Sequence, residues 1–181
     1  TAAALYRKTS GNVQLLALNT EGVLYILENG DGIQKMSDLR GKTIYANGQG
    51  ANPEYVLNYL LRENGLTPGE DVTVEFRDAD EIATLMAAGE IDVCMLPVPN
   101  VTSVLMKNAD VRIALDLTEE WNALDNGSIL TMGCVVVQKA FAEQNPEAVA
   151  AFLEEYRESV ESVAADPEAA APLVEKYEIT G

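Results

Sequence analysis

Histidine is absent from this chain of 181 residues, and with it go the usual general base and the commonest metal ligand. Cysteine is nearly absent. Cys94 in IDVCMLPV and Cys134 in MGCVVVQ both lie in apolar, strand-like settings, which read as two buried free thiols, with a disulfide as the alternative. No spacing of candidate ligands suits a metal, and no cofactor is expected. Positive charge is scarce too: 12 Lys and Arg stand against 29 Asp and Glu, for a net charge of −17. A phosphate backbone would be repelled over most of such a surface, so nucleic acid is excluded as a partner. The ligand need not be cationic, because a local helix terminus can override a screened global charge. No apolar run is long enough to span a bilayer, and no signal peptide stands at Thr1. The opening TAAALYRKTSGN instead reads as a helix interior running into a turn, so the sequence is expected to be a fragment or processed product.

What is present describes an ordinary globular protein, 48% hydrophobic and 23% charged. Its organising stretch is DLRGKTIYANGQGANPEYVLNYLLRENG. Residues 42–46 form a β-prone run, Asn47-Gly48-Gln49-Gly50 a loop of turn formers, and Asn52-Pro53 a helix start with proline at the first helical position. Val56, Leu57, Leu60 and Leu61 then recur at helical spacing, and Asn64-Gly65 supplies a left-handed stop. Glycines let the backbone approach a guest, and the first turn of a helix offers free N–H groups at its positive end, so an anion or polar acceptor suits this loop. A strand-to-helix turn without a guest is the alternative. No Lys-Ser/Thr follows the last glycine and the third glycine of a dinucleotide fingerprint is missing, so neither nucleotide motif applies.

Elsewhere, residues 13–18 and 23–27 read as strands separated by a turn, Asn19-Thr20-Glu21-Gly22. Residues 72–76 alternate as a strand, Asp80 caps a short helix ended by Gly89, and 91–96 is an apolar run suited to a sheet buried on both faces. Pro97-Val98-Pro99-Asn100, a helix to Lys107 and a strand over 111–115 follow. This alternation of strand and helix predicts an α/β fold with a mostly parallel sheet flanked by helices, whose guests bind beyond the carboxyl ends of the strands. Trp121, the only tryptophan, reads as core or hinge filler in a short helix. Residues 130–138 read as a strand interrupted at Met132-Gly133. Asn145-Pro146 and Asp166-Pro167 start two helices, the first with an apolar stripe of Val149, Phe152, Leu153, Tyr156, Val160 and Val163 and a solvated acidic face.

The combination of DLRGK, strand, Gly-x-Gly and helix with LMAAGEID, strand and P-x-P resembles the substrate-binding proteins of ABC transporters. Within them it is most similar to the nitrate-, sulfonate- and thiamine-precursor-binding group. The resemblance covers essentially the whole chain. It implies a type II periplasmic-binding-protein, or Venus-flytrap, fold with one lobe incomplete. Residues 1–36 would be a remnant of the first lobe, 37–128 the second α/β lobe, and 129–181 a crossover strand with helices packing back on the first lobe and hinge. It implies a solute-binding component of an ABC importer that captures a small polar or anionic molecule in an interlobe cleft by hinge closure and delivers it to a membrane permease. The full-length protein would be monomeric and extracytoplasmic, in the periplasm or lipid-anchored as a lipoprotein at the outer face of the membrane, and not an enzyme.

The same resemblance implies the site. Gly48, Gln49, Gly50, Ala51 and Asn52 would face the cleft, Pro99 and Asn100 would belong to the loop closing the pocket, Asn19 and Thr20 with Glu21 would lie at the facing end of the first lobe, and Thr131 on the returning crossover. Asn52 and Asn100 could equally serve capping and turn chemistry. Gln49-Gly50-Ala51-Asn52 lacks the Ser or Thr that many relatives carry at this turn. Two alternatives stand beside transport: a ligand-sensing effector domain of a regulator, and a thiamine-precursor-type enzyme, whose reliance on histidine this chain cannot meet.

Overall fold

The computed structural model describes residues 1–179. In chain order the elements are α1 (Ala2–Lys8), β1 (Val13–Glu21), β2 (Leu24–Asn29), a 3-10 turn (Met36–Leu39), β3 (Thr43–Ala46), α2 (Asn52–Glu63), β4 (Thr73–Phe76) and α3 (Ala79–Ala87). Then come β5 (Val93–Pro97), α4 (Asn100–Lys107), β6 (Val111–Asp116), α5 (Leu117–Asn122), β7 (Thr131–Gln138), α6 (Lys139–Gln144), α7 (Pro146–Ala165) and α8 (Pro167–Lys176). They divide into two compact units, one of residues 18–134 with Thr1, the other of residues 2–17 and those from 135 on.

The larger unit is built on a five-stranded sheet in the order β4-β3-β5-β2-β6. β3 pairs in parallel with both β4 and β5, while β2 runs antiparallel to both β5 and β6. The sheet is therefore mixed, with four strands in one direction and β2 reversed among them. Residue alternation along β5 sorts the core: Val93 and Met95 face one apolar cluster, Cys94 and Leu96 the other. The first cluster takes Val56, Leu57, Leu60 and Leu61 from α2, Met36 and Leu39 from the 3-10 turn, and Leu117 from α5. The second takes Ile82 and Met86 from α3 and Val101 and Val104 from α4. Helices thus cover both faces, and the four α2 residues read from sequence as a core stripe are buried. Each contributes about 1.5–3 kcal/mol.

Glu28, at the end of β2, is the one charged residue among the described residues that is buried. Its carboxylate accepts from the Gly32 and Ile33 N–H groups and from Arg112 Nη2 at 2.7 Å. Arg112 also donates to the carbonyls of Gly30 and Ile33, so this pair fixes the 29–33 loop with its hydrogen-bonding capacity largely used.

Several local expectations are corrected. Asn19, Thr20 and Glu21 continue β1 instead of forming a turn, and β1 ends before Gly22, where a Cβ would lie 2.0 Å from Thr118 Oγ1. β2, assigned from sequence with residues 1–36, is hydrogen-bonded between β5 and β6. α3 is capped by Asp78, whose side chain accepts from the Asp80 N–H, and not by Asp80 itself. β7 runs unbroken through Met132-Gly133, and the glycine there allows the close approach of β1, since a Cβ at 133 would lie 2.5 Å from Asn19 Oδ1 and 2.6 Å from Thr20 Oγ1. Cys94 is buried but Cys134 only partly so, and both are free thiols.

In the smaller unit, α7 and α8 start at Pro146 and Pro167 as read, and Asp166 accepts from the Ala169 N–H. Asn145 makes no such cap; its side chain donates to the Phe141 carbonyl. The α7 stripe forms, yet no described residue of α1, α6, α7 or α8 is buried. β1 and β7 pair as a separate two-stranded sheet.

Candidate ligand-binding site

Parallel pairing of β4, β3 and β5 brings three carboxyl ends to one edge of the large sheet, since Ala46 is opposite both Phe76 and Met95. The loops that leave this edge lead into α2, α3 and α4. Helices enter here with their positive ends toward the edge. The Val98 N–H donates to the Val23 carbonyl, so the start of β2 lies at the same edge.

The Gly-x-Gly loop has the shape its sequence demands. Gly48 and Gly50 adopt φ of +79° and +73°, and a Cβ on Gly48 would sit 2.7 Å from the Pro53 ring. Ala51, not Asn52, is the N-cap residue, Asn52 being the first residue of the helix. Two of the loop amides are engaged: the Gly50 N–H donates to Glu54 Oε2 at 2.6 Å, and the Ala51 N–H to the Gly48 carbonyl at 3.0 Å. A carboxylate of the chain thus occupies the place where a bound anion was expected. Asn47, just before the loop, has a buried Oδ1 with no partner among the described residues.

A hollow of about 360 Å³ opens beside the first turns of α2. Its lining comprises Asn52, Tyr55, Val56 and Tyr59 of α2, Trp121 of α5, and Ile129, Leu130 and Thr131. Tyr59 and Trp121 meet with ring centroids 4.9 Å apart at 46°. Trp121 Nε1–H donates to Ser128 Oγ at 3.0 Å, and Asn126 Nδ2 donates to the Tyr59 hydroxyl at 3.1 Å. The Tyr55 hydroxyl donates to the Gly50 carbonyl. Beside Trp121, burial pushes the Glu120 carboxyl up, with the Glu119 charge adding to it.

Of the residues singled out from sequence, Asn52 and Thr131 come together in this hollow, and the others do not line it. Asn19 and Thr20 bond to each other across Gly133 of β7, and Glu21 is exposed. Asn100 donates to Asp80 Oδ1 at 2.8 Å, tying α4 to α3, while Pro99 is the exposed residue before α4. Gln49 is exposed. The reading missed Tyr55, Tyr59 and Trp121, although the spacing of Tyr55 and Tyr59 by four on a helix whose core face was already complete was a usable signal.

Over residues 12–170 the chain matches the family model described as NMT1/THI5 like. It belongs to the NMT1/THI5-like family. No curated protein matches it in sequence. Among solved structures, it is similar to the periplasmic aliphatic sulphonate binding protein SsuA from Escherichia coli, with a TM-score of 0.75 at 18% identity over 96% of this chain and 57% of that one. An ABC transporter structure from Parabacteroides distasonis gives 0.75 at 21% identity, covering 99% of this chain and 59% of that one. A sulfonate ABC transporter protein, periplasmic sulfonate-binding protein SsuA from Methylobacillus flagellatus KT, gives 0.68 at 24% identity, covering 90% and 47%. This NMT1/THI5-like chain therefore has the α/β fold of the periplasmic binding proteins and spans less than two thirds of each of these structures. Among its described residues, no helix is long and apolar enough to cross a membrane.

Proposed function

We propose that this NMT1/THI5-like chain is the solute-binding part of an ABC importer, working outside the cytoplasmic membrane and passing a small molecule to a membrane permease. The observation that carries the reading is the hollow beside α2, within the size range of small-molecule sites. Asn52 and Thr131 offer hydrogen bonds to a polar end of the ligand, and Tyr55, Val56, Tyr59, Trp121, Ile129 and Leu130 take its body. The lining has no carboxylate, no thiol and no cationic side chain, which suits capture more than chemistry. The sulfonate-binding neighbours agree in fold with this role.

A thermal-shift panel of nitrate, short sulfonates, pyrimidines and small amines tests the reading. A ligand at about 100 times its Kd adds roughly 2.7 kcal/mol, enough to raise the Tm by several degrees. We expect at least one class to do so in the wild type and to lose most of its effect in Asn52→Ala. A folded protein whose Tm no class moves would overturn the assignment.

A further inference from the structure

Resting on that reading, we infer that the hollow beside α2 selects a small organic cation, an alkylated ammonium with a short polar arm. Three aromatic side chains, Tyr55, Tyr59 and Trp121, line it, and each has its own polar atom bonded within the protein. Apart from the Tyr59 hydroxyl, which accepts from Asn126 and keeps its proton to donate, what they offer a guest is ring surface, whose π-electron face carries the negative end of the ring quadrupole and attracts a cation. The 46° tilt between Tyr59 and Trp121 makes a corner, and a rounded guest fills a corner better than a flat one.

Charge selects in the same direction. The lining residues include no Lys or Arg that could neutralise an anion. The Gly50 amide of the loop before α2 is held by the Glu54 carboxylate, so an oxyanion taking that amide would have to displace a like charge. Arg77, at the same edge of the sheet, is bound to Glu75 and Glu81 and lies over the Tyr45 ring. The chain as a whole carries 29 acidic against 12 basic side chains, a net negative field that favours the approach of cations over anions. Asn52 and Thr131 then meet the polar arm through neutral hydrogen bonds.

Trp121 is the only tryptophan, so its fluorescence reports the hollow alone. The probes are choline, its uncharged isostere 3,3-dimethylbutan-1-ol, methanesulfonate and uracil, each titrated into the wild type, Tyr55→Leu and Tyr59→Leu. We expect choline to give a saturable change at concentrations at least about tenfold below those needed for the isostere, as cation–π attraction in a partly desolvated site supplies. Each Tyr→Leu variant, which keeps bulk and removes the ring, should weaken choline roughly three- to tenfold and leave the isostere nearly unchanged. Equal binding of choline and the isostere would overturn the inference, because the hollow would then read apolar shape alone. Saturation by methanesulfonate or uracil without choline would overturn it too while leaving the solute-binding reading intact. Silence from all four, together with a silent thermal-shift panel, would remove both.

Discussion

A thiol sealed in a sheet does not ionise, and Cys94 is such a thiol: burial pushes it up to about 12. Cys134 is only partly buried and so within reach of a reagent. At pH 8 a thiol reagent should therefore modify one cysteine of the native protein, mapped by peptide mass to Cys134, and reach Cys94 only in denaturant. Fast native labelling of Cys94 would contradict the buried placement. Glycine discriminates as finely. Gly48 and Gly50 both sit at positive φ, but a Cβ meets the Pro53 ring at the first and open space at the second. Gly50→Ala should lose about 1 kcal/mol in a urea titration and Gly48→Ala about 2 kcal/mol or more. The glycines were legible as a turn because the residue type itself carries the conformational meaning. The difference between them was not, since it depends on where a proline ring five residues on comes to rest.

Among the elements, the link between β2 and β6 gives a sharp test. Arg112→Met leaves the Glu28 carboxylate buried with two N–H partners and no cation, and should destabilise by about 2–3 kcal/mol with the change in midpoint seen by urea unfolding. α5 offers a test in pH. Because burial raises the Glu120 carboxyl in the folded state above its ordinary value of 4.5, the folded state holds that proton more tightly. Its contribution is present below 4.5 and is lost as pH rises through the raised value, so the ionised group opposes folding at neutral pH. Glu120→Gln should raise the Tm at pH 7, with the gain vanishing near pH 4; a lower Tm at pH 7 would show that the charge has a partner instead. Elements such as α2 and β5 were readable because a complete apolar stripe or a wholly apolar run leaves few alternatives. The reversal of β2 was not, because the run at 23–27 encodes burial and carries no direction. Nor was the hollow: Tyr55 and Tyr59 look like surface residues until Trp121 and residues 129–131 arrive from more distant sequence.

At the scale of the whole molecule, burial is unevenly shared. The larger unit encloses two apolar clusters around five strands, whereas α1, α6, α7 and α8 have no buried residue among those described, and Leu5, Phe141, Phe152 and Leu173 are exposed. Opening free energies follow buried apolar contact, so hydrogen exchange should protect β2, β3 and β5 far longer than α7 and α8. The α7 stripe was read correctly as apolar and amphipathic, but periodicity says only that a face could be buried, and this unit does not bury it. Function at this scale reduces to whether the hollow beside α2 takes a guest. Amide and indole chemical-shift mapping with whichever ligand raises the Tm decides this most directly. Shifts should concentrate at Asn52, Tyr55, Tyr59, Thr131 and the Trp121 indole; shifts confined to the smaller unit or to the Pro99 and Asn100 loop, with Trp121 unmoved, would rule the hollow out as the binding site.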